Sequence, residues 1–382
     1  MGLRQKPGNN TGTDPRKGGL SQPRVKTQAA RSFACNKNLI QALPRLALVF
    51  HPLHSSRRYL KLMSNSLTPP LTPDQAAQAV LYGKLVKAVT AMYLADPTNL
   101  TPPPLPPPNP QAIPDGWQLS AWIQMSDFDV LDPLKKVPAF YGIVVSQISN
   151  PTNRVVAFRG TQGKIEWLDD ATAIVQVPFL PLHNGGMVAF GFHEIYASLQ
   201  IVPVPIITSN TGPAAAATPK LTGTFAEQLD QLATHEETRL GITQKSAVAD
   251  QRPTGVTGHS LGSALATLFA FEGSAKKLFN IQLVSTLASP KVGNAKFVQS
   301  FNALPFTSWR IFNIPDAVPK LPLSIGIIDF EAVDTGYSFD SSSFARQNEG
   351  CYHSIDTYLH GLDDTWHVSP DCALIPLSQT AP

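Results

Sequence analysis

The apolar positions of this chain change period several times, and each change marks an element. From Thr72 onward Ala77, Val80, Leu81, Leu85, Val89 and Met92 recur at helical spacing, with Pro73 and Asp74 where a helix would start. The spacing predicts one amphipathic helix over 73–95, stopped by Pro97. The run PPPLPPP inside Pro102–Pro114 then reads as a stiff polyproline II spacer, with SH3-type docking as the competing use. Two continuous apolar runs, 139–148 and 155–158, flank the turn residues Asn150–Asn153 and predict a hairpin or adjacent strands. A helix is expected over 192–201. Residues 203–224, rich in Pro, Ala, Gly and Thr, suit a surface insertion. Helical spacing resumes over 225–240 through Leu229, Leu232 and Ala233. Beyond it, strand-like runs at 255–257, 280–288 and 308–314 alternate with helical stretches at 263–278 and 296–301, the pattern of a parallel sheet with helical crossovers. No internal repeat is present.

Composition changes this picture mainly at the amino terminus. The 382 residues are 43% hydrophobic and 15% charged, which excludes coiled coil, collagen and wholesale disorder. Residues 1–62 hold 12 of the 30 Lys and Arg but only one acid, Asp14. The remaining 18 basic and 26 acidic residues leave residues 63–382 at −8, so the body has no electrostatic case for nucleic-acid binding. Residues 1–38 carry almost nothing apolar and cannot offset the entropy of ordering. The one apolar stretch, Leu39–Phe50, is too short to span a bilayer, which takes about 20 residues, and no secretory cleavage pattern follows it. A start at Met63 with everything earlier upstream, a transit peptide, and a basic contact arm all fit this leader. The expected organisation is a basic disordered arm over 1–62, a helix and proline-rich spacer over 63–114, and one folded domain over 115–382. Compartment and oligomeric state stay open, as does the pairing of Cys351 with Cys372, which an oxidising compartment would permit and which would leave Cys35 over.

The chemistry concentrates at Gly258-His259-Ser260-Leu261-Gly262, a G-x-S-x-G pentad where a strand is expected to turn abruptly into a helix. A nucleophile on so tight a turn leaves no room for side chains two residues to either side, hence the glycines. The β-branched pair Val256-Thr257 precedes it, and the small residues Ser263-Ala264 continue it as a closely packed helix. His259 reads as buried or bridging, because adjacent side chains on such a turn diverge. A serine hydroxyl needs a histidine base and a carboxylate to orient that base. In this architecture both follow the serine in chain order. Only His353, His360 and His367 do so, and Asp316 stands just past the strand expected at 308–314. His360, Asp363 and His367 also make a metal-like spacing, but four dedicated ligands cannot be assembled from it.

Several separated segments, in order, resemble the fungal-type class 3 lipases, the Lipase 3 family: Phe158-Arg159-Gly160-Thr161, Glu166 to Asp170, Gly258 to Gly262, Ala288 to Asn294, Asn313 to Pro319, and His353 with Tyr358 and Leu359. The resemblance covers about 117–362 and implies an α/β-hydrolase, with a mostly parallel central sheet flanked by helices. It implies Ser260 as nucleophile, His353 as base and Asp316 as its orienting acid. It further implies an oxyanion hole from Thr161 and from the backbone N–H of Leu261, with Asp170 aiming the Thr161 hydroxyl. Two departures stand out, Thr161 where the family often has Ser and Ser263 where it often has Gly. Neither removes a group the chemistry needs. Ile165, Trp167 and Leu168, set among charged neighbours, would form a lid. The implied activity is hydrolysis of acylglycerols or other lipid esters at a lipid–water interface, through an acyl-enzyme and without a cofactor or metal. A phospholipase A1 or galactolipase is the alternative within the enzyme class, and a catalytically silent lipid-binding protein is the alternative outside it.

Overall fold

The structure, a computed structural model, describes residues 67–95, 112–128, 136–161, 175–204, 219–241, 252–334 and 336–374. Its centre is an eight-stranded sheet. The strands, in chain order, are β1 (Trp117–Phe128), β2 (Lys136–Gln147), β3 (Asn150–Phe158), β6 (Gln200–Pro203), β7 (Pro253–His259), β8 (Asn280–Leu287), β9 (Thr307–Asn313) and β10 (Gly336–Phe339), and the short pair β4 (Gln176–Pro178) and β5 (Met187–Ala189) lies apart. Across the sheet the order is β10-β9-β8-β7-β3-β2-β1-β6. Strands β3, β7, β8, β9 and β10 run parallel to one another, while β2, β1 and β6 extend the sheet from β3 as an antiparallel flank.

The continuous apolar runs are buried on both faces, and the two-residue period of a strand divides them. In β3, Val156 and Phe158 enter one core with Tyr141, Val144, Val256 and Val284. Val155 and Ala157 enter the other with Phe140, Ile143 and Val145. Helices α2 (Phe190–Ala197), α3 (Phe225–Arg239) and α4 (Leu261–Ala275) line the first face. Helix α1 (Pro73–Ala95) lines the second, burying Ala79, Tyr82, Leu85, Val89 and Met92 against the sheet. Thr224 opens α3 with a capping box, its hydroxyl accepting from Glu227 N–H while the Glu227 carboxylate accepts from Thr224 N–H. Helix α5 (Ala295–Asn302) and the short α6 (Glu349–Tyr352) and α7 (Ile355–Leu362) complete the described elements that bear on the site.

Helix α1 spans the residues its periodicity predicts. Elsewhere the boundaries differ. Strand β3 begins at Asn150, so the turn falls at Ile148-Ser149 and the Asn150–Asn153 segment, read as a turn, is already strand. The helix expected over 192–201 ends at Ala197, because Ile201 pairs with Ile123 on the edge of β1. Strands β6 and β10 are too short to carry a signal of their own, whereas β1, unassigned above, alternates Leu119, Ala121, Ile123 and Met125 with mostly polar neighbours. No described helix is long and apolar enough to cross a membrane. Residues 1–66 and most of the proline-rich spacer lie outside the described residues.

Candidate active site

Parallel pairing brings four carboxyl ends to one edge. Phe158 of β3 is level with Gly258 of β7, His259 with Leu287 of β8, and Leu287 with Ile311 of β9. The loops that leave these strands therefore start side by side, the arrangement in which open α/β sheets bind ligands.

Ser260 sits between the last residue of β7 and the first of α4, with φ 57° and ψ −127°, a conformation that costs a non-glycine residue energy. The turn survives because its surroundings over-determine it. The Ser260 N–H donates to the Leu287 carbonyl at 3.0 Å. A Cβ on Gly258 would lie 2.2 Å from the Gly262 carbonyl oxygen, and one on Gly262 would lie 2.3 Å from that of Arg159. Both positions thus require glycine, for the close-approach reason the pentad suggested. Ser263, the departure from the family pattern, stitches the elbow: its hydroxyl lies 2.8 Å from the Gly258 carbonyl and 2.7 Å from that of Leu287.

Three side chains meet at this turn. His353 Nε2 is 2.8 Å from Ser260 Oγ, and its Nδ1 is 2.8 Å from Asp316 Oδ2. Asp316 is completely buried. Its second oxygen accepts from the Val318 N–H at 2.9 Å, and Tyr358 donates its hydroxyl to Oδ2 at 2.7 Å. Burial alone would raise this carboxyl. The hydrogen bonds from His353, Tyr358 and Val318, with the charge of His353, outweigh that and hold it below its ordinary 3.8. The cost appears on Tyr358, whose hydroxyl is pushed well up by burial and by the neighbouring carboxylate. Of the three histidines that follow Ser260, then, His353 is the one the fold brings to it. His360 instead bonds the Trp366 carbonyl through Nδ1 and packs on Phe344, and His367 makes no described contact with the site.

His259 is buried against His353, with ring centroids 4.7 Å apart, and its Nε2–H donates to the His353 carbonyl at 2.8 Å. Burial first, and then repulsion from His353, push it down to about 3, so it is neutral at neutral pH. It bridges to His353, in keeping with the buried or bridging place expected of it.

Thr161 follows β3 at this edge, and Leu261 opens α4 immediately after Ser260. The residue that fixes the first of these is Arg159, for which the sequence offered no role. Its guanidinium is buried between Tyr93 of α1 and Tyr141 of β2, 3.7 and 4.5 Å from the ring centroids. It donates Nε to the Phe140 carbonyl at 2.9 Å and Nη1 to the Gly160 carbonyl at 2.8 Å. Because the Gly160 carbonyl and the Thr161 N–H belong to one planar peptide, holding the first aims the second. Asn313 was likewise visible only as part of a motif. It fastens β9 to the histidine segment through bonds to Ser341 and to the Tyr352 carbonyl, and its N–H reaches the Tyr358 hydroxyl. Cys351, two residues before His353, is bonded to Cys372, a pairing the sequence left open. Asp170 and the expected lid residues Ile165, Trp167 and Leu168 lie outside the described residues.

A sheet of this topology with a serine on a strand-to-helix elbow, followed in chain order by an acid and a histidine, is an α/β-hydrolase. Residues 155–325 match the family described as Lipase (class 3). Among curated proteins it is similar to two phospholipases A1 of rice (Oryza sativa subsp. indica). Phospholipase A1-II 3 is 28% identical over 226 residues, covering 55% of this chain and 49% of its own. Phospholipase A1-II 1 is 28% identical over 263 residues, covering 65% of this chain and 58% of its own. The chain thus spans about half the length of these relatives. Among solved structures it is similar to a lipase from Rhizopus microsporus var. chinensis, with a TM-score of 0.43 and 17% identity, over 66% of this chain and 70% of that one.

Proposed function

We propose that this protein hydrolyses carboxylic esters of lipids through an acyl-enzyme on Ser260. The observation that carries this reading is the unbroken hydrogen-bonded relay from Ser260 Oγ through His353 to Asp316, ending on a strained elbow. In the proposed mechanism Ser260 Oγ attacks the ester carbonyl carbon while His353 Nε2 takes its proton. Asp316, kept ionised by its three donors, holds the Nδ1–H tautomer and stabilises the imidazolium that forms. The tetrahedral oxyanion is received by the N–H groups of Thr161 and Leu261, with the Thr161 hydroxyl aimed by Asp170; such donors commonly supply about 3–4 kcal/mol of barrier reduction each. His353 then protonates the leaving alcohol, and the acyl-enzyme is released by a water that the same imidazole deprotonates. Ile165, Trp167 and Leu168 serve as a lid that shields the acyl site in water.

For the substrate we favour acylglycerols. The similarity to the two rice phospholipases A1 favours a phospholipase A1 as the second reading. Purified protein assayed against triolein, phosphatidylcholine and a series of p-nitrophenyl esters, with Ser260→Ala as control, tests both. Turnover of the short esters that vanishes in Ser260→Ala supports the chemistry, and the ratio of triolein to phosphatidylcholine hydrolysis assigns the class. Absence of any serine-dependent turnover leaves the lipid-binding alternative standing and defeats the proposal.

A further inference from the structure

The connection from β9 to β10 carries Asp316 near its start, and farther along it raises a short apolar knuckle. Leu323, Ile325 and Ile327 are 58%, 54% and 99% exposed. Their exposure does not come from a loose loop. The feet of the connection are clamped: Val318, Phe330 and Val333 are buried, the Lys291 N–H donates to the Leu321 carbonyl at 2.8 Å, and the Glu331 N–H to that of Gly293 at 2.9 Å. Gln176 adds a side-chain bond to the Asp329 carbonyl at 2.6 Å. The tip is a closed turn, in which Ile325 and Ile328 exchange N–H···O bonds of 2.9 and 3.0 Å around Gly326, whose φ is +63°. The Ser324 hydroxyl accepts from the Phe330 N–H at 2.9 Å and braces the return strand.

An ordered turn that holds three aliphatic side chains in water marks a partner, since exposed apolar clusters are otherwise selected against. The chemistry of that partner follows from shape, composition and place. The tip is a protruding turn, so it suits a deformable apolar phase better than a fixed protein pocket. It presents aliphatic side chains and no aromatic or arginine anchor of the kind that dominates protein interfaces. Its closing amides and carbonyls pair with each other, which an element entering hydrocarbon must achieve. It rises from the same carboxyl edge as Ser260, and Ile314, two residues before Asp316, adds a further half-exposed aliphatic there.

We propose that the Leu323-Ile325-Ile327 knuckle inserts into a lipid surface and holds the Ser260 edge of the sheet against it. This rests on the reading of the site as a lipid esterase, but it is separable from it. The lid expected at Ile165–Leu168 would cover the site; the knuckle is a fixed anchor beside it, shaped before any lipid is met. Because the contact is apolar, it should be insensitive to salt.

The test uses the full chain and phosphatidylcholine vesicles. In Ser260→Ala, which removes hydrolysis, vesicle partitioning measured by co-sedimentation should persist from 0.1 to 1 M NaCl. Ile327→Asp in the same background should weaken it by about tenfold, and Leu323→Ser/Ile325→Ser/Ile327→Ser by more. With Ser260 intact, each knuckle variant should lose vesicle hydrolysis in proportion to its own loss of partitioning, while turnover of dissolved p-nitrophenyl butyrate and the melting temperature stay within error. Knuckle variants that partition like the parent protein, or whose partitioning was already abolished by salt in the parent, overturn the proposal. Knuckle-dependent binding in a protein that hydrolyses no ester supports the anchor and removes the esterase reading instead.

Discussion

Buried charge lies toward both ends of the parallel strands, and the two ends use it differently. At the amino ends, Arg154 and Arg252 are almost fully buried and meet the acids of α3: Arg154 bonds Glu236 at 3.1 Å and Glu237 at 3.3 Å, while Arg252 bonds Glu237 through Nε at 3.0 Å and Nη2 at 2.8 Å and also pairs with Asp230. The charges there are opposite, several-fold connected and turned toward one another. At the carboxyl ends, Asp316 is just as deeply buried, yet the chain of bonds that starts from it ends on the hydroxyl of Ser260, held on a strained turn. Buried charge is therefore no marker of chemistry in this molecule. What separates the two ends is that one network closes on itself and the other terminates on the Ser260 hydroxyl, the nucleophile proposed above.

The largest break in this comparison should come from the open end. Ser260→Ala and Asp316→Asn should each lower kcat on a dissolved ester by about three to four orders of magnitude, with melting temperatures close to the parent in the first case. At the closed end, Glu237→Gln leaves Arg154 and Arg252 short of a counter-charge in the core and should cost about 3–5 kcal/mol in urea unfolding. In that variant the pH–rate profile of the surviving enzyme should be unchanged. A shifted profile would mean that the two ends communicate.

Arg159 sharpens the comparison, because it is a buried cation that belongs to the open end without touching the reacting atoms. As a positioning residue it should show a split: Arg159→Lys keeps the charge but loses the fork that grips both the Phe140 and Gly160 carbonyls, so kcat should fall about 10–100-fold while KM stays within twofold. Equal losses in soluble-ester kcat and in folded fraction would reduce it to a packing role.

A separate effect is one of acid stability. His259 is held neutral down to about pH 3, whereas in the unfolded chain it takes a proton near 6.5. The unfolded state binds more protons across that window, so its contribution to stability is intact above 6.5 and declines as pH falls toward 3, by up to about 1.4 kcal/mol per unit. The depressed Asp316 adds a further loss only below 3.8. Thermal melts of His259→Gln should show a flatter acid limb between pH 6.5 and 4; an unchanged limb would move the acid sensitivity elsewhere.

Sequence by itself determined the parts of this protein that are written in local periodicity and steric necessity. The helical spacing of residues 73–95, the doubly apolar runs of β2, β3 and β8, and the glycines of the pentad each follow from which side chains a given backbone geometry admits. The pentad singled out Ser260 as the proposed nucleophile, and chain order narrowed the proposed base to three histidines and the proposed acid to the end of β9. Tertiary structure decided the rest, because it depends on neighbours that are distant along the chain. Only the parallel register of β3, β7, β8 and β9 brings His353 rather than His360 to Ser260 and seats Tyr358 on Asp316. Strands β6 and β10 are strands because they complete the two edges of the sheet, whatever their own composition. Arg159 grips a peptide only because Tyr93, sixty-six residues earlier, and Tyr141 close around it. Where a side chain's partner lies within a turn or two, its role can be read from the chain; where the partner is supplied by the sheet, the fold has to supply the meaning as well.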